Sequence, residues 1–206
     1  MPTRINLVIG FIEPESQSKY RWVGPPEMKN GFHHLKPFAK EDKSLLNAII
    51  ETPKGSHFKY ACDFGHGIFK LSKTLPGEMQ FPVNFGFIPS THAEDGDPLD
   101  VLVLNKHPLV CGCLVWVRLI AVMILEQQQQ GKWLRNDRII GEAVGKELPR
   151  KFRGLTLDRK TASALEKFFI AYNKHYGRKI RVLGISGPSQ ACSLIEKAAK
   201  RYRLAR

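Results

Sequence analysis

The spacing of apolar residues changes once along the chain, and that change limits the fold more than any other feature. Up to about Gly141 the apolar runs are short and strand-like. Leu46–Glu51 reads as a strand, as does Phe58–Cys62, and Gly65-His66-Gly67 turns the chain into Ile68–Leu71. Phe81–Ile88 is aromatic and punctuated by glycine. Val101–Leu104 is apolar at every position, the mark of a strand buried on both faces. Gly112–Leu125 is one long strand or two, Gln127–Gln130 is expected to be a hairpin loop, and Arg138–Gly141 the return strand. Beyond Thr161 the period becomes helical, with Ala164, Leu165, Phe168, Phe169 and Tyr172 on one side. Thr161 is a weak N-cap and Gly177 a stop. A short strand over Lys179–Leu183 precedes a second helix over Pro188–Leu204. That helix gathers Ala191, Ile195, Ala198 and Tyr202 on one face and leaves Lys197, Lys200, Arg201 and Arg203 largely solvated. Many short strands followed by two helices describe an α+β fold, a small closed barrel with helices packed on it.

Residues 1–45 read differently. Gly24-Pro25-Pro26 and Asn30-Gly31 are turn signals, so this stretch is expected to be an N-terminal extension to a main domain over residues 46–206. His33-His34 within it reads as incidental. The 206 residues suffice for one domain with a full core. No apolar run reaches the roughly 18 residues that span a bilayer. Leu114–Leu125 is too short and contains Arg118, and no signal peptide is read at the N-terminus, so a cytoplasmic protein is expected. Cys62, Cys111, Cys113 and Cys192 form no C-x-x-C and read as reduced thiols rather than a zinc site.

The net charge of +13 favours polyanionic partners, whether nucleic acid, acidic membrane or phosphate-bearing metabolites. It also makes clustered acid conspicuous. Asp95, Asp97 and Asp100 fall within six residues, just before the buried Val101–Leu104 run. Asp95 and Asp97 are two apart in what reads as an extended segment and can point the same way; Gly96 lets the backbone bend and Pro98 restrains Asp97. Carboxylates about 4 Å apart repel by roughly 4 kcal/mol per pair at an effective dielectric near 20, so a cation, protonation or ample water must offset them. All-oxygen donors suit Mg2+, Mn2+ or Ca2+. An EF-hand does not fit, because Leu99 and Val101 stand where ligands should be. An Asx-rich surface turn would carry the same residues.

The D-G-D-P-L-D block followed by V-L-V-L resembles the signature of the soluble family I inorganic pyrophosphatases. Flanking blocks extend the resemblance from about Leu45 to about Leu183. They are Glu51-Thr52-Pro53, Lys59-Tyr60, Lys73, Phe81-Pro82-Val83-Asn84-Phe85-Gly86-Phe87-Ile88-Pro89, Asn136-Asp137-Arg138-Ile139-Ile140 and Phe168-Phe169-Ile170-Ala171-Tyr172-Asn173. The resemblance implies a five-stranded OB-like barrel, a divalent-metal cluster served by Mg2+ with Mn2+ as a substitute, and hydrolysis of pyrophosphate to two phosphates. It also implies a homo-oligomer, usually a hexamer in the bacterial branch. By position, Asp95, Asp97, Asp100 and Glu51 look like the metal group, with Asp97 the base near the attacking water. Lys59, Lys73, Arg138 and Tyr172 look like the phosphate-holding groups.

The sequence also departs from the family pattern. Arg is usual where Lys73 stands, Tyr where Phe81 and Phe85 stand, and an acid at Ala61. Family metal aspartates meet Gln127 and Asn136, with Glu126 and Asp137 beside them, and a family lysine meets Asn173. A bacterial subgroup has similar F-P-x-x-F-G-F-I-P and R-N-D-R blocks. Two other readings stay open: hydrolysis of a larger nucleoside or sugar diphosphate, and a weakened OB-like nucleic-acid binder stacking bases on Phe81, Phe85 and Phe87. Burial preference puts those rings in the core instead.

Overall fold

Leu45–Thr52 forms strand β1, and all eight of its residues are buried. A strand with no exposed face needs cover on both sides, and the arrangement of the other elements supplies it. In the computed structural model, which describes residues 32, 34–41, 43, 45–145 and 157–205, the chain continues through β2 (Phe58–Asp63), β3 (Ile68–Thr74), β4 (Asn84–Phe87), β5 (Asp100–Leu104), β6 (Leu114–Gln129), β7 (Lys132–Arg135) and β8 (Arg138–Val144). Helix α1 (Arg159–His175), β9 (Ile180–Ser186) and helix α2 (Pro188–Leu204) follow. Most of the expected extension over residues 1–45, His33 included, lies outside the described residues.

The strands pair in the order β1-β4-β5-β8-β6, and β6 pairs back onto β1. Five strands therefore close into a ring, the expected small OB-like barrel, with α1 and α2 packed on it. All these pairings are antiparallel except β5 with β8, which is parallel. The β2–β3 hairpin forms a separate two-stranded sheet. Alternate residues of β5 enter two different cores. Val101 and Val103 pack with Ile195 and Ala198 of α2, while Leu102 packs with Leu165, Phe169 and Tyr172 of α1. This two-sided burial is why the sequence is apolar throughout Val101–Val103. Each large side chain so buried contributes roughly 1.5–3 kcal/mol.

Two local details aim side chains. The first is a bulge in β1. Ile50 pairs with Gly86 and Thr52 with Phe85, which leaves Glu51 as the extra residue. A bulge turns its extra side chain out of the regular alternation. Gly86 is required opposite it, since a Cβ there would lie 2.0 Å from the Ile49 carbonyl oxygen. The second is the loop before β5. The Thr91 hydroxyl donates to the Ile88 carbonyl (2.6 Å) and accepts from the Leu99 N–H (3.0 Å). Ala93 N–H meets the Asp97 carbonyl at 2.8 Å. His92 ties the same loop to α2 through the Ala198 carbonyl and Arg201 Nε.

Three expectations need correction. Gln127–Gln129 belong to β6, paired with Lys132–Leu134, and only Gln130-Gly131 form the loop. Both have positive φ, 48° and 80°, the two-residue turn whose twist matches antiparallel strands. The N-cap of α1 is Asp158, whose carboxylate accepts the Thr161 N–H at 2.8 Å; Thr161 stands inside the first turn. Asp95 to Asp97 is a turn rather than an extended segment, because Gly96 takes φ +96°.

Candidate active site

A cavity of about 190 Å3 opens where β1, β2, β5, β8 and α1 meet. Glu51, Lys59, Asp95, Asp97, Asp100, Arg138 and Tyr172 all line it. Lys73 does not. It stands beside the cavity, its Nζ 5.5 Å from the Tyr172 ring centre and 4.2 Å from that of Tyr176. The hairpin explains the placement, since Lys73 is the direct cross-strand partner of Lys59.

Four carboxylates, Glu51, Asp95, Asp97 and Asp100, line the cavity. Burial raises the Glu51 carboxyl to about 7, opposed by the Cys62 N–H that donates to its Oε1 at 2.8 Å. Burial also raises Asp95 and Asp100, each further raised by a neighbouring aspartate. Asp97 is the most solvent-exposed of the group and its N–H donates to Asp95 Oδ1 at 3.3 Å. Asp100 is ion-paired with Arg138. Among the described residues no three Asp, Glu, His or Cys side chains are close enough to form a ready metal cluster. The donor set is nevertheless all oxygen and includes desolvated, mutually repelling carboxylates, which suits a hard divalent cation.

The same cavity lining carries donors. Arg138 lies 5.9 Å from the Phe85 ring centre and 5.7 Å from that of Phe169, and Lys59 Nζ lies 5.0 Å from Phe85. These rings attract the cations by cation–π interaction, and at Phe85 the family resemblance would have a tyrosine hydroxyl. Arg138 also donates to Asn136 Oδ1, and Asn136 Nδ2 donates to Gln127 Oε1 at 3.3 Å. Among the described residues, the Tyr172 hydroxyl and Arg138 Nε are buried with no hydrogen-bond partner. A buried donor left unmade costs about 1–3 kcal/mol, so both are suited to ligand oxygens.

A sequence model of the inorganic pyrophosphatase family matches residues 48–203. The inorganic pyrophosphatase of Campylobacter jejuni is 30% identical over 163 residues, which cover 77% of this chain and 92% of that protein. The Agrobacterium fabrum inorganic pyrophosphatase is 36% identical over 163 residues, 77% of this chain and 90% of its own. The crystal structure of the Thermus thermophilus inorganic pyrophosphatase superposes with a TM-score of 0.73 at 30% identity, covering 84% of this chain and 99% of that one. This chain belongs to the inorganic pyrophosphatase family.

Within that family frame, the two positions at which the resemblance expects metal aspartates can be placed. Gln127 and Asn136 line the cavity. Their acidic neighbours are engaged elsewhere: Glu126 with Arg181 at 2.6 Å, Asp137 with Arg135 at 2.8 Å and with the Leu125 N–H at 3.1 Å. Neither acid lines the cavity, so Gln127 and Asn136 contribute neutral amides to its lining. Arg178 and Asn173 also line the cavity and were not singled out as site residues from sequence. The signal for Arg178 was the Gly177 helix stop, which puts the next residue back over the end of α1. Phe81, Phe85 and Phe87 are only 2–3% exposed, so they form no stacking face for bases. Among the described residues no helix is long and apolar enough to cross a membrane.

Proposed function

We infer that this chain hydrolyses inorganic pyrophosphate to two phosphates with divalent cations, Mg2+ first and Mn2+ as a substitute. The observation that carries the reading is one cavity lined by an acidic turn together with Lys59, Arg138 and Tyr172, in a chain of the inorganic pyrophosphatase family. Asp95, Asp100 and Glu51 are the residues to hold cations, with Asp97 at the edge of the group. A bound divalent cation neutralises the substrate's charge and acidifies a water. The exposed Asp97 carboxylate accepts a proton from the attacking water in this reading. Lys59 and Arg138 bind phosphate oxygens and stabilise charge on the departing phosphate. The Tyr172 hydroxyl, raised to about 12 chiefly by burial, stays protonated and donates to the same group. Lys73 adds positive charge from beside the cavity. The expected homo-oligomer, a hexamer by resemblance, and the cytoplasmic location are carried forward as part of this proposal; sedimentation of the purified protein tests the first.

The experiment is phosphate release from pyrophosphate, ADP and a sugar diphosphate, with Mg2+, with Mn2+ and with EDTA. Expected is rapid release from pyrophosphate alone, abolished by EDTA. A preference for ADP or the sugar diphosphate selects the larger-substrate reading instead.

A further inference from the structure

We propose that Arg178 is a further substrate-binding residue, holding the phosphate that lies farther from the Asp95–Asp100 turn. The inference rests on the pyrophosphatase reading above and adds a residue to it.

The helix end creates the position. Gly177 takes φ +67°, a conformation glycine adopts without strain. Its N–H returns to the Lys174 carbonyl at 3.1 Å, and the Arg178 N–H returns to the Asn173 carbonyl at 2.9 Å. This double reversal folds the chain back over the last turn of α1. Arg178 is thereby set beside Tyr172 and Asn173, and its side chain lines the cavity.

The other cations of the cavity are engaged. Arg138 is bound to Asp100 and Asn136, and Lys59 rests over Phe85. Among the described residues Arg178 pairs with no carboxylate. Its charge acts on Tyr172 and on Lys73, while that of Arg138 acts on both Tyr172 and Asp100 and that of Lys59 on both Lys73 and Asp100, which sets these two between the ends. The cavity therefore runs from the acidic turn, past Lys59 and Arg138, to Tyr172 and Arg178. A diphosphate along that line presents its distal oxygens to Arg178, whose planar fork matches them. Favourable placement against the helix dipole alone would leave Arg178 on the surface with no influence on anion binding.

The test uses the full-length protein with Arg178→Ala, Arg178→Lys and Arg178→Glu. Two quantities are read: KM and kcat for magnesium pyrophosphate, and the calorimetric Kd for imidodiphosphate. Expected for Arg178→Ala is a rise of about tenfold in both KM and Kd, as for a lost charge-assisted contact, with kcat changing less. Arg178→Lys recovers part of the loss and Arg178→Glu deepens it. Melting temperatures stay level, since Arg178 is exposed. A KM and Kd within about twofold of wild type in Arg178→Ala overturns the proposal, as does equal behaviour of the three variants. The titration needs no turnover, so a wild-type protein that releases no phosphate counts against the hydrolase reading while the Kd series still decides Arg178.

Discussion

Asp100 and Arg138 face each other as register partners on the one parallel strand pair of the barrel, and their side chains form an ion pair at the cavity. The pairing of β5 with β8 thus sets the distance between the acidic turn and the Arg138 guanidinium before any ligand arrives. The pair is largely out of water, with side-chain exposures of 22% and 9%. Removing one partner strands the other.

Arg138→Ala is expected to cost about 3 kcal/mol of stability and roughly a thousandfold in kcat/KM. Arg138→Lys keeps the charge but not the planar group that reaches both Asp100 and Asn136. It is expected to lower kcat/KM about tenfold with a smaller loss of stability. Denaturant unfolding and steady-state kinetics on the two variants check this, and equal activity losses would contradict the shared-contact role.

The aspartates of the turn are expected to separate by function. Asp97→Asn should lower kcat by roughly a hundredfold or more while leaving most Mn2+ affinity, since a proton acceptor is lost. Asp95→Asn and Asp100→Asn should weaken Mn2+ binding about tenfold or more. Calorimetric Mn2+ titration of the three proteins distinguishes these outcomes; uniform loss of binding would remove the separate role of Asp97.

Lys73 gives a pH signature. Burial, together with the nearby charges of Arg178 and Lys59, lowers its amine to about 8. Tyr172 and Tyr176 are the groups facing it from α1. A depressed lysine binds fewer protons folded than unfolded between about 8 and its ordinary 10.5. Its unfavourable contribution to stability is full below 8 and relieved as pH rises through that window. The pyrophosphate anion favours the charged amine, so KM should rise as pH passes about 8. Arg stays charged throughout, and Lys73→Arg should move that rise to higher pH. A KM profile unchanged by Lys73→Arg would exclude Lys73 from substrate binding.

Gly86→Ala tests the wall behind Glu51. The added Cβ would meet the Ile49 carbonyl oxygen at 2.0 Å and force β4 away from β1. A loss of about 3 kcal/mol is expected, read by denaturant unfolding. A melting curve like wild type would show that the bulge does not depend on this contact.

The sequence displayed what burial writes into it. The Val101–Val103 run is apolar because both faces are covered, and Pro188–Leu204 shows its start and its face because proline at N1 and the Ala191, Ile195, Ala198 spacing are local signals. The cross-strand facts were not written there. Gln127–Gln129 resembled a loop because polarity hides a strand whose side chain lines a polar cavity. The Glu51 bulge depends on the register with β4, and Lys73 opposite Lys59 depends on the β2–β3 hairpin. Arg178 reaches the cavity only through the reversal after α1. Asp158 and Thr161 are both capable caps three residues apart, and the choice between them required the Asp158 side-chain bond.

The most direct measurement is a crystal structure of the protein with Mn2+ and imidodiphosphate, the ions located by their anomalous signal. Expected are Mn2+ peaks against Asp95 and Asp100, with the diphosphate oxygens on Lys59, Arg138 and the Tyr172 hydroxyl. Mn2+ bound away from the acidic turn, or a diphosphate seated outside this cavity, would contradict the assignment of the site.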